Sequence, residues 1–570
     1  MRAGAVVAQS SCRLRRSMAL CAHRRGFGRL LPLAWVLSGT LAYQQGLAQD
    51  FLLQGPAVVV KTADGPVEGR KQPGIVAFHG IPYAGAPVGS LRFRPPAAPK
   101  PWKAVRPAWT RAAACPQIRN TIDALEDGED VMDEDCLTVN VWTPEPDSAR
   151  RPVMVFIHGG GFVEGSAADT GYDGATLAAR GDVVVVSLQY RLGIFGFLEL
   201  GDLGGADYTQ SGNVGILDQI AALRWVQRNA AAFGGDPTNV TVFGESAGGA
   251  SIFGLLASPQ AKGLFHKAII QSGDPAQFQS RERALKITQA VQDAAHARSV
   301  ADLQRMSMTE LLRVQAKLFE KDVTGLATFT MVNDGLVLAE NPIEAVEHDP
   351  DRSIPLLIGT NAEEMRYSVA MEGSPIDRQP ENTLRQYLQS LFGPPGASLI
   401  ETYKKYSQTS EVAITTLIGD AMFRIPAIRL AEINAARKPT YVYLFTYRSP
   451  ARGPTGLEYG AMHGLDTAPV FHLDTPIGYA YVGPKGTWSV LSEQMMAAWT
   501  SFARSGSPDN SLLPPWPRYD ANQRATMALG THSDVMLDPY RREREAWNDI
   551  PTGALQNVDV MALWEPLPTG

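Results

Sequence analysis

The chain has 570 residues, 45% of them hydrophobic and 19% charged, and a formal net charge of −6. That is enough apolar material for a large buried core, and it leaves no basic stripe of the kind that tracks a nucleic-acid backbone, so nucleic acid is excluded as a partner class. The 53 glycines and 40 prolines are scattered along the chain, with no repeat period and no low-complexity tract.

Residues 1–48 read as a targeting segment rather than as part of the fold. Arg13, Arg15, Arg16, Arg24, Arg25 and Arg29 precede an apolar run from Leu30 to Ala42, and Gly46-Leu47-Ala48 sets small residues where a signal peptidase reads. The run is shorter than the ~18 or more residues a membrane anchor needs. Export with cleavage before Gln49 is therefore expected, with no stable membrane insertion afterwards and a periplasmic or extracellular destination. His23-Arg24-Arg25-Gly26-Phe27-Gly28-Arg29 resembles a twin-arginine signal, the general secretory route being the alternative. Cys12 and Cys21 leave with this segment. Cys115 and Cys136 close a short loop, which in an exported protein reads as a disulfide; two free buried thiols are the alternative.

From Ala57 to Val105, short β-like runs alternate with Pro/Gly turns. Beyond them, apolar runs of the kind that fill a sheet buried on both faces recur at Val153 to Ile157, Val183 to Leu188, Val240 to Phe243, Ala268 to Ile270, Pro355 to Ile358 and Tyr441 to Phe445. Between them Ile216, Ile220, Leu223, Trp225 and Val226 recur at helical spacing within Ile216 to Phe233, and Gly234-Gly235-Asp236-Pro237 stops that helix. Strands alternating with helices predict a mostly parallel α/β sheet flanked by helices. Ser280 to Glu320 and Glu381 to Ala436 carry helical patterns without strands and read as a helical cap or insertions. No linker divides residues 49–570, which are expected to form a single domain.

One stretch carries chemistry. In VTVFGESAGGA, the strand Val240 to Phe243 breaks into Gly244-Glu245-Ser246-Ala247-Gly248, and small residues open a helix. A serine hydroxyl is a poor nucleophile until a base takes its proton and the backbone presents it to substrate. A sharp strand-to-helix turn does the presenting; an ordinary glycine-rich turn is the plain alternative. Upstream, the strand Pro152 to Ile157 ends in His158-Gly159-Gly160-Gly161-Phe162. Three glycines after a strand can turn bare N–H groups toward an oxyanion. The two motifs in this order point to Ser246 as a nucleophile of acyl transfer.

Longer blocks follow the same order: FHGIPYAGAPVGSLRF, EDCLTVNVWTP, FIHGGGF, YRLGIFGFL, GNVGILDQIAALRWVQRNAAAFGGDPTNVTVFGESAGGAS, SPQAKGLFHKAIIQSG and AWTSFARSGSPDN. From about Val60 to about Tyr519 the chain resembles the type-B carboxylesterase family, the carboxylesterase/cholinesterase/lipase group of the α/β-hydrolase fold. The resemblance implies a large, mostly parallel central sheet flanked by helices, with helical cap insertions. It implies a serine hydrolase that cleaves small carboxylic esters through a Ser-Glu-His triad and an acyl-enzyme, with no metal or organic cofactor. By matching positions, the acid is Glu364 in Gly359-Thr360-Asn361-Ala362-Glu363-Glu364-Met365, with Glu363 its neighbouring rival. Met365 stands where the family keeps glycine, so the loop beyond the acid is expected to take a different path. The base is His463 in Gly460-Ala461-Met462-His463-Gly464-Leu465-Asp466, where Asp466 replaces a longer glutamate. His472, without flanking glycines, suits a structural role. The oxyanion donors map to the N–H groups of Gly160, Gly161 and Ala247. Glu245 and Ser272 map to residues that contact the triad, a turn-capping hydroxyl being the alternative for Ser272.

Departures narrow the family. Cholinesterases carry a tryptophan in the loop corresponding to Cys115–Cys136, where it binds quaternary ammonium; this loop has no aromatic residue. It holds eight carboxylates from Asp123 to Asp135 against the single Arg119, a poor composition for a lipid-facing lid. An esterase is therefore expected, with a lipase, a carbamate or amide hydrolase, or a non-catalytic binding or adhesion homologue as alternatives. The acidic loop either steers cationic esters or is simply solvated.

Overall fold

The computed structural model describes residues 53–118, 132–275, 277–321, 328–373, 381–484 and 486–555. The segment 1–48 and most of the acidic loop lie outside the described residues. The strands are β1 (Ala57–Lys61), β2 (Pro66–Gln72), β3 (Ile75–Pro82), β4 (Arg106–Pro107), β5 (Thr138–Thr143), β6 (Arg151–Ile157), β7 (Val184–Leu188), β8 (Gly235–Glu245), β9 (Lys267–Gln271), β10 (Phe278–Ser280), β11 (Met331–Asn333), β12 (Leu356–Asn361), β13 (Thr440–Phe445), β14 (Ser449–Arg452), β15 (Glu458–Gly460), β16 (Ala525–Leu529) and β17 (Asp534–Leu537). Among the described residues, 13 of them form one sheet in the order β1-β2-β3-β5-β7-β6-β8-β9-β12-β13-β16-β17, with β4 beside β2.

The block from β7 to β16 is parallel throughout. Antiparallel pairs flank it on both sides, β1 to β7 on one and β16 with β17 on the other. Its strands carry long apolar runs because both faces are covered. In β6, Val153, Val155 and Ile157 pack into one core while Met154 and Phe156 pack into the other, and all are fully buried. All six apolar runs seen in the sequence are strands of this block. The difference lies in β8, which begins at Gly235 rather than Val240. Its first residues, Gly-Asp-Pro-Thr-Asn, carry no run of large apolar side chains and all but Gly235 are partly or fully exposed, so they leave no apolar signature although Gly235 pairs with Arg151.

Helices fill the connections. Val214–Asn229 bridges β7 and β8 and ends in a 3-10 turn closed by Gly234 at φ 81°. Ala247–Ala257 leads from β8 to β9. Helices Arg281–Ala295, Val300–Arg305 and Met308–Lys321 add Val291, Leu303, Leu311 and Val314 to the first core. Helices Glu381–Phe392, Pro394–Tyr406 and Ser410–Gly419 build a third apolar cluster of their own, which also holds Met365, Phe423 and Trp547. Cys115 and Cys136 form a disulfide and are fully buried. Among the described residues no helix is long and apolar enough to cross a membrane.

Candidate active site

In an open parallel sheet, ligands bind beyond the carboxyl ends of the strands, and there the residues singled out in the sequence converge. Ser246 follows the last residue of β8 and Ser272 the last residue of β9, and the strand ends Glu245 and Gln271 face each other in register. Glu364 lies three residues beyond β12, which pairs with β9. The glycine turn 159–161 follows β6 on the other side of β8. Four adjacent strands thus deliver four parts of one site.

Ser246 is half-buried and has φ 56° and ψ −121°, a conformation that costs a non-glycine residue of order 1–3 kcal/mol and needs support from its surroundings. The support is visible. The Ser246 N–H donates to the Gln271 carbonyl (3.0 Å), and the Ser246 carbonyl accepts from the Ala250 N–H (2.8 Å), tying the elbow to β9 and to the helix it starts. Gly248 is required by close approach, because a methyl there would run into the Ile157 carbonyl of β6. The glycine turn lies against Ser246: a methyl on Gly159 would stand 3.2 Å from Ser246 Cβ. Gly160 and Gly161 have φ 100° and 61°. Ala247 is the first residue of a helix, where backbone N–H groups lack intrahelical acceptors.

His463 Nδ1 is hydrogen-bonded to Glu364 Oε2 (2.8 Å), and the His463 N–H donates to the Glu364 carbonyl (3.1 Å). The other carboxylate oxygen, Oε1, accepts from Ser272 Oγ (2.7 Å) and from the Asn361 N–H (2.7 Å). Glu364 is 4% exposed and fully engaged. Glu363 instead accepts from the Ala461 N–H (3.0 Å) and pairs with Arg448. His472 caps a short helix and bonds Ser492 Oγ through Nδ1 (2.9 Å), a structural task.

The Carboxylesterase family matches residues 56–547. The chain belongs to that family. It is 37% identical over 492 residues to the para-nitrobenzyl esterase of Bacillus subtilis (strain 168), covering 85% of this chain and 98% of that relative. It is 34% identical over 539 residues to the liver carboxylesterase of Sus scrofa, covering 86% and 93%. Among solved structures, a carboxylesterase of Geobacillus stearothermophilus superposes with a TM-score of 0.78 at 38% identity, covering 86% of this chain and 100% of that one. The fold is the α/β-hydrolase fold, and the protein is a carboxylic ester hydrolase.

The electrostatics of this carboxylesterase centre on the imidazole. Glu245, 5% exposed, puts Oε1 3.2 Å from His463 Nε2. Burial, the largest influence on His463, pulls its pKa down, but the carboxylates of Glu245, Glu364 and Asp466 outweigh it and bring the value to about 9. Burial raises Glu245 to about 8, with the His463 charge opposing and Asp466 and Glu364 adding to the rise. Asp466 keeps its place despite being one methylene short: Oδ2 accepts from Gln271 Nε2 (3.0 Å) and Tyr443 Oη (2.7 Å), and burial raises its pKa. Met365 needs no glycine-like backbone; it sits at φ −84°, immediately before the helix Arg366–Glu372, and is buried in the third cluster.

Sequence reasoning missed three kinds of residue. Gln271 and Tyr443 hold Asp466, and only the position of Gln271 beside Ser272 hinted at a role. Asn361 fixes Glu364 through its backbone, which no side-chain motif announces. Phe423, buried, stacks on the His463 ring at 4.6 Å with 30° between planes, from a helical stretch without any site signature. Among the described residues no group of three or more His, Cys, Asp or Glu is arranged to hold a metal ion.

Proposed function

We propose that this carboxylesterase is an exported enzyme that hydrolyses small carboxylic esters with Ser246 as nucleophile, His463 as base and Glu364 as the acid that orients the base. The observation that carries the reading is the 2.8 Å bond between His463 Nδ1 and Glu364, formed beyond the carboxyl end of β12, with β9 between it and β8, whose left-handed elbow carries Ser246. The bond commits Nδ1 to carrying its proton toward Glu364, which leaves the Nε2 lone pair to take the proton of Ser246.

Ser246 Oγ then attacks the ester carbonyl, and the N–H groups of Gly160, Gly161 and Ala247 receive the oxyanion. Collapse of the tetrahedral adduct breaks the bond to the alkoxy oxygen, and His463 returns the proton to the leaving alcohol. Water, deprotonated by the same nitrogen, attacks the acyl-enzyme and releases the carboxylic acid. Glu245, beside Nε2, stabilises the imidazolium that forms in each half. The name of the Bacillus relative makes a nitrobenzyl ester a natural first substrate. Ser246→Ala is expected to yield folded protein with turnover of a chromogenic short-chain ester lowered by about 10⁴–10⁶. Wild-type turnover by that variant refutes the mechanism.

Export rests on the basic segment and apolar run within residues 1–48, and the buried Cys115–Cys136 disulfide suits an oxidising compartment. In this reading residues 49–570 are the catalytic domain. The N-terminus of protein recovered outside the cytoplasm should be Gln49; recovery there with residues 1–48 attached counts against a cleaved signal.

A further inference from the structure

The helix Ser410–Gly419 does not end at Gly419 but widens into a π-helical turn, Asp420–Arg424, and continues as the helix Ile425–Ala435. Pro426, at the start of the second helix, gives a local reason. It donates no hydrogen bond, and its ring would collide with the carbonyl four residues back in a regular helix. One extra residue in the turn relieves the collision, and such turns gather at functional sites.

Two residues of this short stretch pack against the proposed base and acid. Phe423 covers the face of His463. Gly419 packs on Glu364 so closely that a methyl there would stand 3.1 Å from Glu364 Cβ and 3.8 Å from Met365 Cγ. The turn is itself locked by charge. Arg424 Nε donates to Asp420 Oδ1 (2.6 Å), and its Nη2 reaches Oδ2. Tyr403 Oη also donates to Asp420 Oδ2 and accepts from Trp547 Nε1 (2.8 Å). Asp420 is 5% exposed and Arg424 is 8% exposed, and the guanidinium lies 5.3 Å from the Tyr540 ring centroid. A buried ion pair is a poor source of net stability compared with apolar packing, whereas removing one partner is strongly destabilising. Fixing one geometry is therefore the better account of its presence.

We propose that the Asp420–Arg424 pair, with Tyr403 and Trp547, is a positioning device for catalysis: it holds the π turn so that Phe423 and Gly419 press His463 and Glu364 into their bonded arrangement. The inference rests on the assignment of His463 as base and Glu364 as its partner. None of the four clamp residues touches the reacting atoms; they act through Phe423 and the backbone at Gly419.

The test compares Asp420→Asn, Arg424→Lys, Arg424→Ala and Phe423→Leu with the parent enzyme on one chromogenic ester. Active sites are counted by stoichiometric inactivation, so that loss of folded protein is separated from loss of rate. The proposal expects kcat per active site to fall by about 10–100-fold, the scale of a sub-ångström to 1 Å misplacement, with KM within about twofold. It also expects the far-downfield proton resonance of His463 Nδ1–H to broaden or move upfield, and Arg424→Lys to retain more activity than Arg424→Ala. Parent kcat per active site with an unmoved resonance in Phe423→Leu and Asp420→Asn overturns it. Should Asp420→Asn fail to fold, Arg424→Lys decides, since it keeps the positive charge and loses the forked pair of bonds to Asp420. Ser246→Ala separates the two levels. If it is inactive while the clamp variants behave as the parent, only this inference fails; if it is active, the underlying mechanism fails.

Discussion

At the scale of single residues, the site is an imidazole surrounded by acids. Glu364 takes Nδ1, Glu245 stands beside Nε2, and Asp466 adds a third carboxyl held by Gln271 and Tyr443. His463 and Glu245 are raised to about 9 and about 8, so the site keeps a proton more tightly than free imidazole does. In the proposed mechanism His463 must be neutral to act as base. The acid limb of kcat/KM should accordingly lie above the ordinary imidazole value of 6.5. Glu245→Gln removes the carboxylate whose charge does most to raise His463, so the limb should move to lower pH, toward 6.5, while kcat declines as the imidazolium loses a counter-charge. A pH–rate profile of that variant superimposed on the parent's contradicts this electrostatic account.

Legibility at this scale followed from how local each signal is. Ser246 and His463 stand in short glycine-flanked motifs, because both need turns that a few neighbours dictate. Family position distinguishes Glu364 from Glu363 in the sequence, and the structure separates them by partner: His463, Ser272 and Asn361 for one, Arg448 and Ala461 for the other. Phe423 was invisible. It meets His463 across 40 residues of chain through tertiary packing, and an aromatic residue in an amphipathic helix has no feature that marks it for a site.

At the scale of elements, strand ends and turns place the chemistry. The apolar runs marked the parallel strands because a strand covered on both faces carries no alternation to blur. The polar start of β8 and the π turn were not legible, the first because it lies outside the apolar core, the second because it arises from Pro426 within an otherwise continuous helix. The contact between the elbow and β6 gives a direct check. Gly248→Ala places a methyl against the Ile157 carbonyl, one residue before the HGGG turn. Backbone cannot yield as a side chain does, so the substitution should cost roughly 1–3 kcal/mol of stability or more. It should also lower kcat by displacing Ser246 relative to the glycine turn. An unfolding midpoint and kcat equal to the parent's would show that the elbow is not held against β6 as described.

At the scale of the whole molecule, the sheet is the frame on which the site is assembled. Residues far apart in sequence, from Gly159 to Glu364, reach one place because β6, β8, β9 and β12 are neighbours with a common direction, and His463, three residues beyond β15, joins them through its bonds to Glu364. The helical stretch from Glu381 to Ala435 packs its last helix against β12 and β13 and meets His463 through Phe423. Composition and strand pattern made the class of fold readable, and the long ordered blocks made the family readable. The order of strands in the sheet was beyond them, since β7 lies outside β6 although it follows it in sequence. The central claim is that one serine of this frame carries the acyl group. The most direct measurement is intact and peptide mass spectrometry after brief exposure to an activated ester, with acid quench. The account predicts a single acyl adduct per chain, on Ser246, absent in Ser246→Ala and rising in step with the first turnover. An adduct on another residue, or ester turnover that proceeds while Ser246 stays unmodified, would contradict it.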